Sequence, residues 1–387
     1  MVVGGGPSGC MAAIEVAKAG YSVCILEKDR DIGMPVRCGE AIGNEGLTQF
    51  FKPKREWIAT EITAAELIAP NGKNIKVPFV HETGFILNRR IFDYDVSRIA
   101  VKNGAEVYTK SFVKSLIIDD ETNFVKGVVV KYFDKEVRIS SKIVIGADGV
   151  ESRVGRWGGI KTTVKIKDME SCLQYSVANI NLNKNQMKMY VGKEYAPGGY
   201  LWIFPKGDGF ANIGIGISGK YSKHKSAKKY LDDFIDREYP DVSILSTVCG
   251  GVSCPKPHKE PINNGLILVG DAAHQINPMT GGGIASGMRG GQIGGQIVAL
   301  SLKNKDYSKI FLSKYPKKMF KIFGNNHNRY YRIKEAIHHL EDEDFNYIAN
   351  KVANIPENKR GLSDVFKAAV FKKPSLMIDV LKVFVGV

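Results

Sequence analysis

The sequence predicts an α/β fold in which a parallel βαβ layer is interleaved with an antiparallel sheet and followed by a helical C-terminal region. Three observations carry this. A glycine loop, Gly4-x-Gly6-x-x-Gly9, separates a short apolar strand from a helical segment, and Glu27 closes the next apolar strand. From about residue 160 to 258 the pattern turns to short alternating strands. Beyond about residue 308 the chain reads as helical and basic.

Taken in order, Val2-Val3 enters the glycine loop, Cys10 to Ala19 reads as a helix stopped by Gly20, and Tyr21 to Leu26 as a buried strand. So short a first strand leads us to expect that the natural chain starts upstream. Next come a helix around Phe92 to Lys102, a strand at Glu106 to Thr109, a hairpin of Val113 to Ile118 with Lys126 to Phe133, and a buried strand at Ile143 to Ile145. The β-rich part comprises Leu173 to Ile180, Gln186 to Val191, Tyr200 to Phe204 and Ala211 to Ile217. Leu266 to Val269 returns the chain to the first layer, and a long helix begins near Gly282. The expected division is a discontinuous Rossmann-like domain (1–160 with 258–305), a β-sheet domain (161–257 with part of 50–90) and a helical region, 306–387. No internal repeat is visible.

With 387 residues, 44% hydrophobic and 25% charged, the chain is long and apolar enough to bury a large core. No run of about 18 apolar residues and no signal-peptide pattern is present, so a cytoplasmic location is expected. Six cysteines (10, 24, 38, 172, 249 and 254) form no CxxC pair, which suits free thiols and no zinc site; Cys249 and Cys254 are expected to be buried. The net charge of +15 is concentrated partly between Lys303 and Lys334, in Lys314, Lys317, Lys318, Lys321, Arg329 and Arg332. A solvated helical face and a surface drawn to anionic phospholipid both fit this run; no nucleic-acid motif accompanies it. The pair His338-His339 reads as a helix surface. The apolar, lysine-bearing stretch Phe366 to Val387 reads either as a helix docked on the β-sheet domain or as a membrane-surface contact.

The glycine loop has the chemistry of a dinucleotide site. Its glycines let backbone approach a diphosphate at a helix N-terminus, and an acid at the end of the second strand accepts hydrogen bonds from a ribose diol. Leu266-Ile267-Leu268-Val269-Gly270-Asp271-Ala272-Ala273 delivers a second acid to a strand-to-helix turn, followed by Gly281-Gly282-Gly283-Ile284 opening a helix. Such an aspartate can bind ribityl hydroxyls, and the helix behind it favours negative charge on a reduced flavin, which points to FAD. Ile145-Gly146-Ala147-Asp148-Gly149-Val150-Glu151-Ser152 supplies a third motif, with its arginine displaced to Arg153 or Arg156. The set resembles the p-hydroxybenzoate hydroxylase-like FAD superfamily.

In Pro197-Gly198-Gly199-Tyr200-Leu201-Trp202-Ile203-Phe204-Pro205, alternation sends three rings to one strand face and Leu201 and Ile203 to the other. By itself this is a packed core strand or a wall facing a ligand. Its PxxYxWxFP spelling, with the Pro35-Val36-Arg37-Cys38-Gly39-Glu40 loop, resembles the archaeal geranylgeranyl reductase family. That resemblance implies saturation of geranylgeranyl double bonds in di-ether membrane lipid precursors by hydride from reduced FAD. It implies FAD contacts at Gly4, Gly6, Ser8, Gly9, Glu27, Lys28, Arg37, Cys38, Gly39, Ala41, Arg89, Val113, Asp271, Gly282, Gly283 and Ile284. Pro197, Tyr200, Trp202, Phe204 and Pro205 would bind the polyprenyl chain, with Cys38, Tyr200 and Trp202 as catalytic candidates. Cys38 reads equally as a proton donor, a flavin-positioning thiol or a structural residue. Gly214 and Gly216 would leave room for the chain. His274 reads as a loop neighbour or a satisfied polar residue. The implied partners are the ether phospholipid, an anionic membrane surface on the cytoplasmic side, and an external electron donor (ferredoxin, NAD(P)H or reduced F420, a deazaflavin). A flavin monooxygenase or halogenase, or a non-catalytic prenyl-lipid binder, is the competing reading.

Overall fold

A computed structural model describes residues 1–79 and 83–372. The chain forms two compact units. The first comprises Met1–Val36, Arg89–Thr163 and Lys256–Asn328; the second comprises Arg37–Asn88, Val164–Pro255 and the chain from Arg329.

In the first unit six strands align in the order Ile262–Asn263, Leu266–Leu268, Val144–Gly146, Val2–Val3, Val23–Leu26 and Ala105–Tyr108. All pair in parallel except the first two. Strands covered on both faces need apolar residues throughout, and Leu266, Ile267 and Leu268 are wholly buried. The two-residue first strand is nevertheless central, and Gly4 continues it by donating its N–H to Leu26 at 2.9 Å. Helix Pro7–Lys18 starts on proline, whose fixed φ and missing N–H suit that position. It lies against helix Ile284–Asn304 at backbone contact distance. A Cβ on Gly291 would stand 2.0 Å from the Ser8 carbonyl oxygen, and one on Gly295 2.4 Å from that of Ala12. The predicted hairpin is present as Ser111–Ile118 and Val125–Tyr132, extended by an exposed third strand, Lys135–Ser140.

In the second unit a seven-stranded sheet runs Ser243–Ser253, Met169–Ala178, Ala211–Ser218, Tyr200–Pro205, Gln186–Val191, Ala64–Ile68 and Asn74–Pro78. Every pairing is antiparallel except that of Gln186–Val191 with Ala64–Ile68. One face carries Leu201, Ile203, Ile213 and Ile215 and is covered by Leu231, Phe234 and Ile235 of helix Ala227–Glu238. That helix starts where Ser226 accepts the Lys229 N–H on its hydroxyl. The other face carries Trp202 and Phe204 and meets Ile62 and Ile86 of a small sheet (Ala41–Gly43, Gly84–Leu87, Ile58–Ile62). Helices Asp342–Ala353 and Leu362–Lys372 pack Ile348, Val352 and Ala369 against Ile75 and Val77. The Phe366 to Val387 segment therefore begins as a docked helix; its part from 373 onward lies outside the described residues.

Several expectations are corrected. Cys249 is exposed, because Ser243–Ser253 is an edge strand with a neighbour on one side only; Cys254 is buried. Lys334 belongs to no solvated face: it is 4% exposed and pairs with Asp168. His338 and His339 follow the end of helix Asn325–Ile337, and burial pushes the His338 imidazole down to about 4. Among the described residues, no helix is long and apolar enough to cross a membrane.

Candidate functional site

The predicted site residues fall into two groups, one in each unit. In the first unit, Gly4 takes φ +107°, and a Cβ there would stand 2.2 Å from the Ala147 carbonyl oxygen. A Cβ on Gly6 would meet nothing within 4 Å, so this turn presents bare backbone to an open side. Gly6 also caps helix Pro7–Lys18 without a side-chain hydrogen bond, leaving the first-turn N–H groups available to an anion. The Ser8 hydroxyl lies where a Cβ on Gly270 or Gly287 would come within 2.4 or 2.6 Å of it, joining the two glycine motifs. Glu27 accepts the N–H groups of Gly5 (2.7 Å) and Asp29 (2.9 Å), one on each carboxylate oxygen, which fixes its orientation and leaves lone pairs for a diol.

Asp271 stands in the Gly270–Ala273 turn beside Gly283, whose Cβ would lie 3.2 Å from its Oδ1. Among the described residues its carboxyl takes no side-chain hydrogen bond, and burial pushes it up to about 6 while Arg89 pulls it back. The Arg89 side chain is largely buried. It makes a bidentate pair with Asp93 (2.6 and 2.8 Å) on the first turn of helix Arg89–Lys102. Gly283 caps helix Ile284–Asn304 with no side-chain bond, a second open helix N-terminus. Asp148, in the third motif, accepts the Val154 N–H on Oδ2 (2.9 Å) while its Oδ1 is buried without a partner among the described residues. Val113 packs in the core beside Val128 and Val130, so only its backbone is available to a ligand. Lys28 makes a 3.7 Å pair with Glu151, both half-exposed. His274 is buried, with Nε2 at 3.0 Å from the Thr162 carbonyl. Two uncapped helix ends, bare glycine backbone and two oriented acids fit a dinucleotide with a diphosphate and hydroxylated chains.

In the second unit the aromatic wall is real. Tyr200 and Trp202 meet edge to face at 5.8 Å, and Trp202 stacks on Phe204 at 6.2 Å. The room at Gly214 is taken by Trp202 itself, since a Cβ there would stand 2.3 Å from the indole. The glycine makes space for the wall and not for a ligand. Arg37 is exposed, whereas Gly39 lies on the rings: its Cβ would be 2.9 Å from Phe204 and 3.4 Å from the Trp202 Nε1. Ala41 packs with the same rings, and Pro197 and Pro205 are buried at the two ends of the strand. Cys38 accepts the Glu40 N–H on Sγ at 3.2 Å and the Gln174 Nε2–H on its carbonyl at 3.0 Å.

Sequence reading missed the polar frame of this wall. Gln174 accepts the Trp202 indole N–H at 3.1 Å, and Glu40 accepts from Lys206 and Asn212. Asp168 and Lys334 form a buried ion pair, with the buried carboxyl of Glu170 beside it. The only signal was the odd placement of Gln174 and Glu170 at the in-facing positions of a strand.

Residues 168–252 match the model of the geranylgeranyl reductase catalytic domain, and residues 2–51 that of an NAD(P)-binding Rossmann-like domain. Digeranylgeranylglycerophospholipid reductase 1 of Methanococcoides burtonii is 40% identical over 96% of this chain and 91% of its own. A solved geranylgeranyl bacteriochlorophyll reductase-like protein of Thermoplasma acidophilum superposes with TM-score 0.92 at 34% identity, covering 99% and 98% of the two chains. A variant of the halogenase PltM solved in complex with FAD shares the fold (TM-score 0.67, 14% identity, 98% and 84% covered). The chain belongs to the digeranylgeranylglycerophospholipid reductase family.

Proposed function

We propose that this protein is an FAD-dependent oxidoreductase that saturates geranylgeranyl double bonds of a di-ether glycerophospholipid. One observation carries the reading beyond family membership: Tyr200, Trp202 and Phe204 line up their rings along one strand, and the Trp202 indole N–H is tied back to Gln174, which leaves the ring faces themselves apolar. A polyprenyl chain has nothing to donate or accept, so an unpaired polar group on its path would be costly. Burying it yields about 0.8 kcal/mol per CH2, enough for apolar contacts to hold a long chain in place.

FAD, when bound, would supply the hydride. Its diphosphate would be held by the Gly4 to Gly9 backbone and the helix end at Pro7, its ribose by Glu27, and its hydroxylated chain by Asp271. An isolated alkene is a poor hydride acceptor, so positive charge must build at its more substituted carbon as the proton arrives. The rings of Tyr200 and Trp202 offer their negative faces to that charge. The Cys38 loop is held on the rings through Gln174 and Glu40, which keeps the Cys38 thiol beside the wall. Purified protein should carry a reducible flavin, and the lipid should reoxidise it without O2. Reoxidation by O2 alone would sink the reading in favour of oxygen chemistry. The electron donor is identified by supplying ferredoxin, NAD(P)H or reduced F420 one at a time.

The substrate resides in a bilayer, and the protein meets it at the cytoplasmic membrane surface. Exposed Lys317, Lys318 and Lys321, with Ile310 (84% exposed) and Ile322 beside them in sequence, support such a contact on the first unit. Binding to vesicles of anionic phospholipid should fall in the K317E/K321E variant, and unchanged binding would remove this surface from the reading.

A further inference from the structure

The sheet face that carries the aromatic rings also carries a carboxylic acid. Glu170 and Cys172 pair with Ser218 and Gly216 on one side, while Tyr200 and Trp202 pair with Gly216 and Gly214 on the other. Directly paired residues share a face, so Glu170, Cys172, Gln174, Tyr200 and Trp202 form one surface. Gly216 leaves a notch in it: a Cβ there would meet Cys172 Sγ at 3.2 Å, Glu170 Cβ at 3.9 Å and the Trp202 ring at 4.0 Å.

Glu170 is 8% exposed, and its Oε2 is buried with no hydrogen-bond partner among the described residues. Buried polar atoms are nearly always satisfied, and a lone carboxylate oxygen in such a place is costly. The groups facing it come from every element around it. Asp168 precedes it, Cys172 follows it, Tyr200 lies across the sheet, and Lys334 comes from the helix ending at Ile337. Lys334 is already committed: its ammonium donates to Asp168 Oδ1 at 2.9 Å and to the Cys254 carbonyl at 2.8 Å, and Tyr331 reaches Asp168 Oδ2 at 3.4 Å. Burial therefore dominates, with Asp168 adding to it and Lys334 only opposing, and the Glu170 carboxyl is pushed up to about 8. It keeps its proton at neutral pH. The other acids on this surface are weaker, since burial pushes the Cys172 thiol up to about 12 and raises the Tyr200 phenol as well.

We propose that Glu170 is the acid that delivers the proton in the double-bond reduction. The inference rests on the function proposed above. In the step, the Glu170 O–H bond breaks and its proton takes the alkene π pair to form a C–H bond at the less substituted carbon. The hydride, with its two electrons, leaves the reduced flavin and bonds to the tertiary carbon. Glu170 is left as a carboxylate, which retakes a proton from water. Tyr200 and Trp202 face the charge between these events, and Gly216 gives the chain access to the carboxyl.

The test uses the full-length holoprotein with E170Q and E170D. E170Q should keep its flavin and bind the lipid within about twofold, yet its anaerobic single-turnover reoxidation by lipid should slow at least about 100-fold. E170D, which keeps an acid, should fall between. Infrared spectra of wild type should show a protonated carboxyl stretch at neutral pH that is absent from E170Q and fades as pH rises through about 8. Turnover of E170Q within about threefold of wild type, or no carboxyl band lost on substitution, overturns the proposal. So does loss of turnover in Cys38→Ser with E170Q still active, which would hand the proton to the thiol. If wild type itself does not saturate the lipid, the function proposed above fails, and the infrared band still decides whether Glu170 holds a proton. Should E170Q fail to fold, E170D and the wild-type band decide it.

Discussion

Trp202 donates its indole N–H to the side-chain oxygen of Gln174 at 3.1 Å, across a glycine strand whose Gly214 has no side chain to keep them apart. Gln174 passes the connection on to the Cys38 carbonyl, so one amide orients both the central ring and the cysteine loop. Replacing Gln174 with Leu should leave two buried polar groups unpaired and cost about 1–3 kcal/mol, read as a lower denaturation midpoint. Turnover should fall with flavin content unchanged.

Gly214→Ala tests the same packing from the other side. The new methyl would overlap the indole by more than an ångström, and the backbone beneath it is pinned by cross-strand bonds. A loss of about 1–3 kcal/mol and a changed near-ultraviolet tryptophan signal are expected. An unaltered signal would mean that the ring has room elsewhere.

Gly4→Ala should lose both flavin and stability, because φ +107° and the 2.2 Å approach to the Ala147 backbone exclude a side chain. Glu27→Gln should bind flavin more weakly, since the amide turns one acceptor into a donor facing the Gly5 or Asp29 N–H. Visible flavin absorbance per mole of purified protein measures both.

The first unit was largely legible because its information is local. A glycine spacing, an acid at a strand end and an apolar run each mark themselves within a few residues, and Gly4, Glu27 and Asp271 stand where that reading put them. The aromatic face of Tyr200 to Pro205 was legible from period-two alternation alone. The partners of that face were not. Gln174 reaches Cys38 across 136 positions, and Lys334 reaches Asp168 across 166, so no local pattern records either pair. Helix Ala227–Glu238 and edge strand Ser243–Ser253 were missed for a different reason: lysine-rich and glycine-rich stretches resemble loops until packing shows which face is apolar. The glycine at 214 was read as space for a ligand because the sequence does not say that Trp202 fills it.

Removing Lys334 should be severe. Lys334→Met leaves Asp168 buried without its cation and should cost about 3–5 kcal/mol. The Asp168→Asn/Lys334→Met double variant should recover part of that, as expected for directly coupled partners. Equal losses in the single and double variants would show that the pair contributes nothing as a pair.

Glu170 should leave a mark on stability as a function of pH. Its folded pKa of about 8 lies above the ordinary 4.5, so the folded state holds a proton that the unfolded state releases in that window. Stability is then greatest below pH 4.5 as far as this group is concerned, and falls as pH rises toward 8, by on the order of 5 kcal/mol in all. E170Q should flatten that slope and be the more stable protein at pH 8. A slope that survives the substitution would place the titration elsewhere.

The most direct test of the whole account is mass spectrometry of digeranylgeranylglyceryl phospholipid after anaerobic incubation with the reduced protein. The account predicts a ladder of products, each heavier by two hydrogens per saturated double bond, with one flavin reoxidised for each step. Unchanged lipid over a flavin that stays reduced, or products that appear only when O2 is admitted, would contradict it.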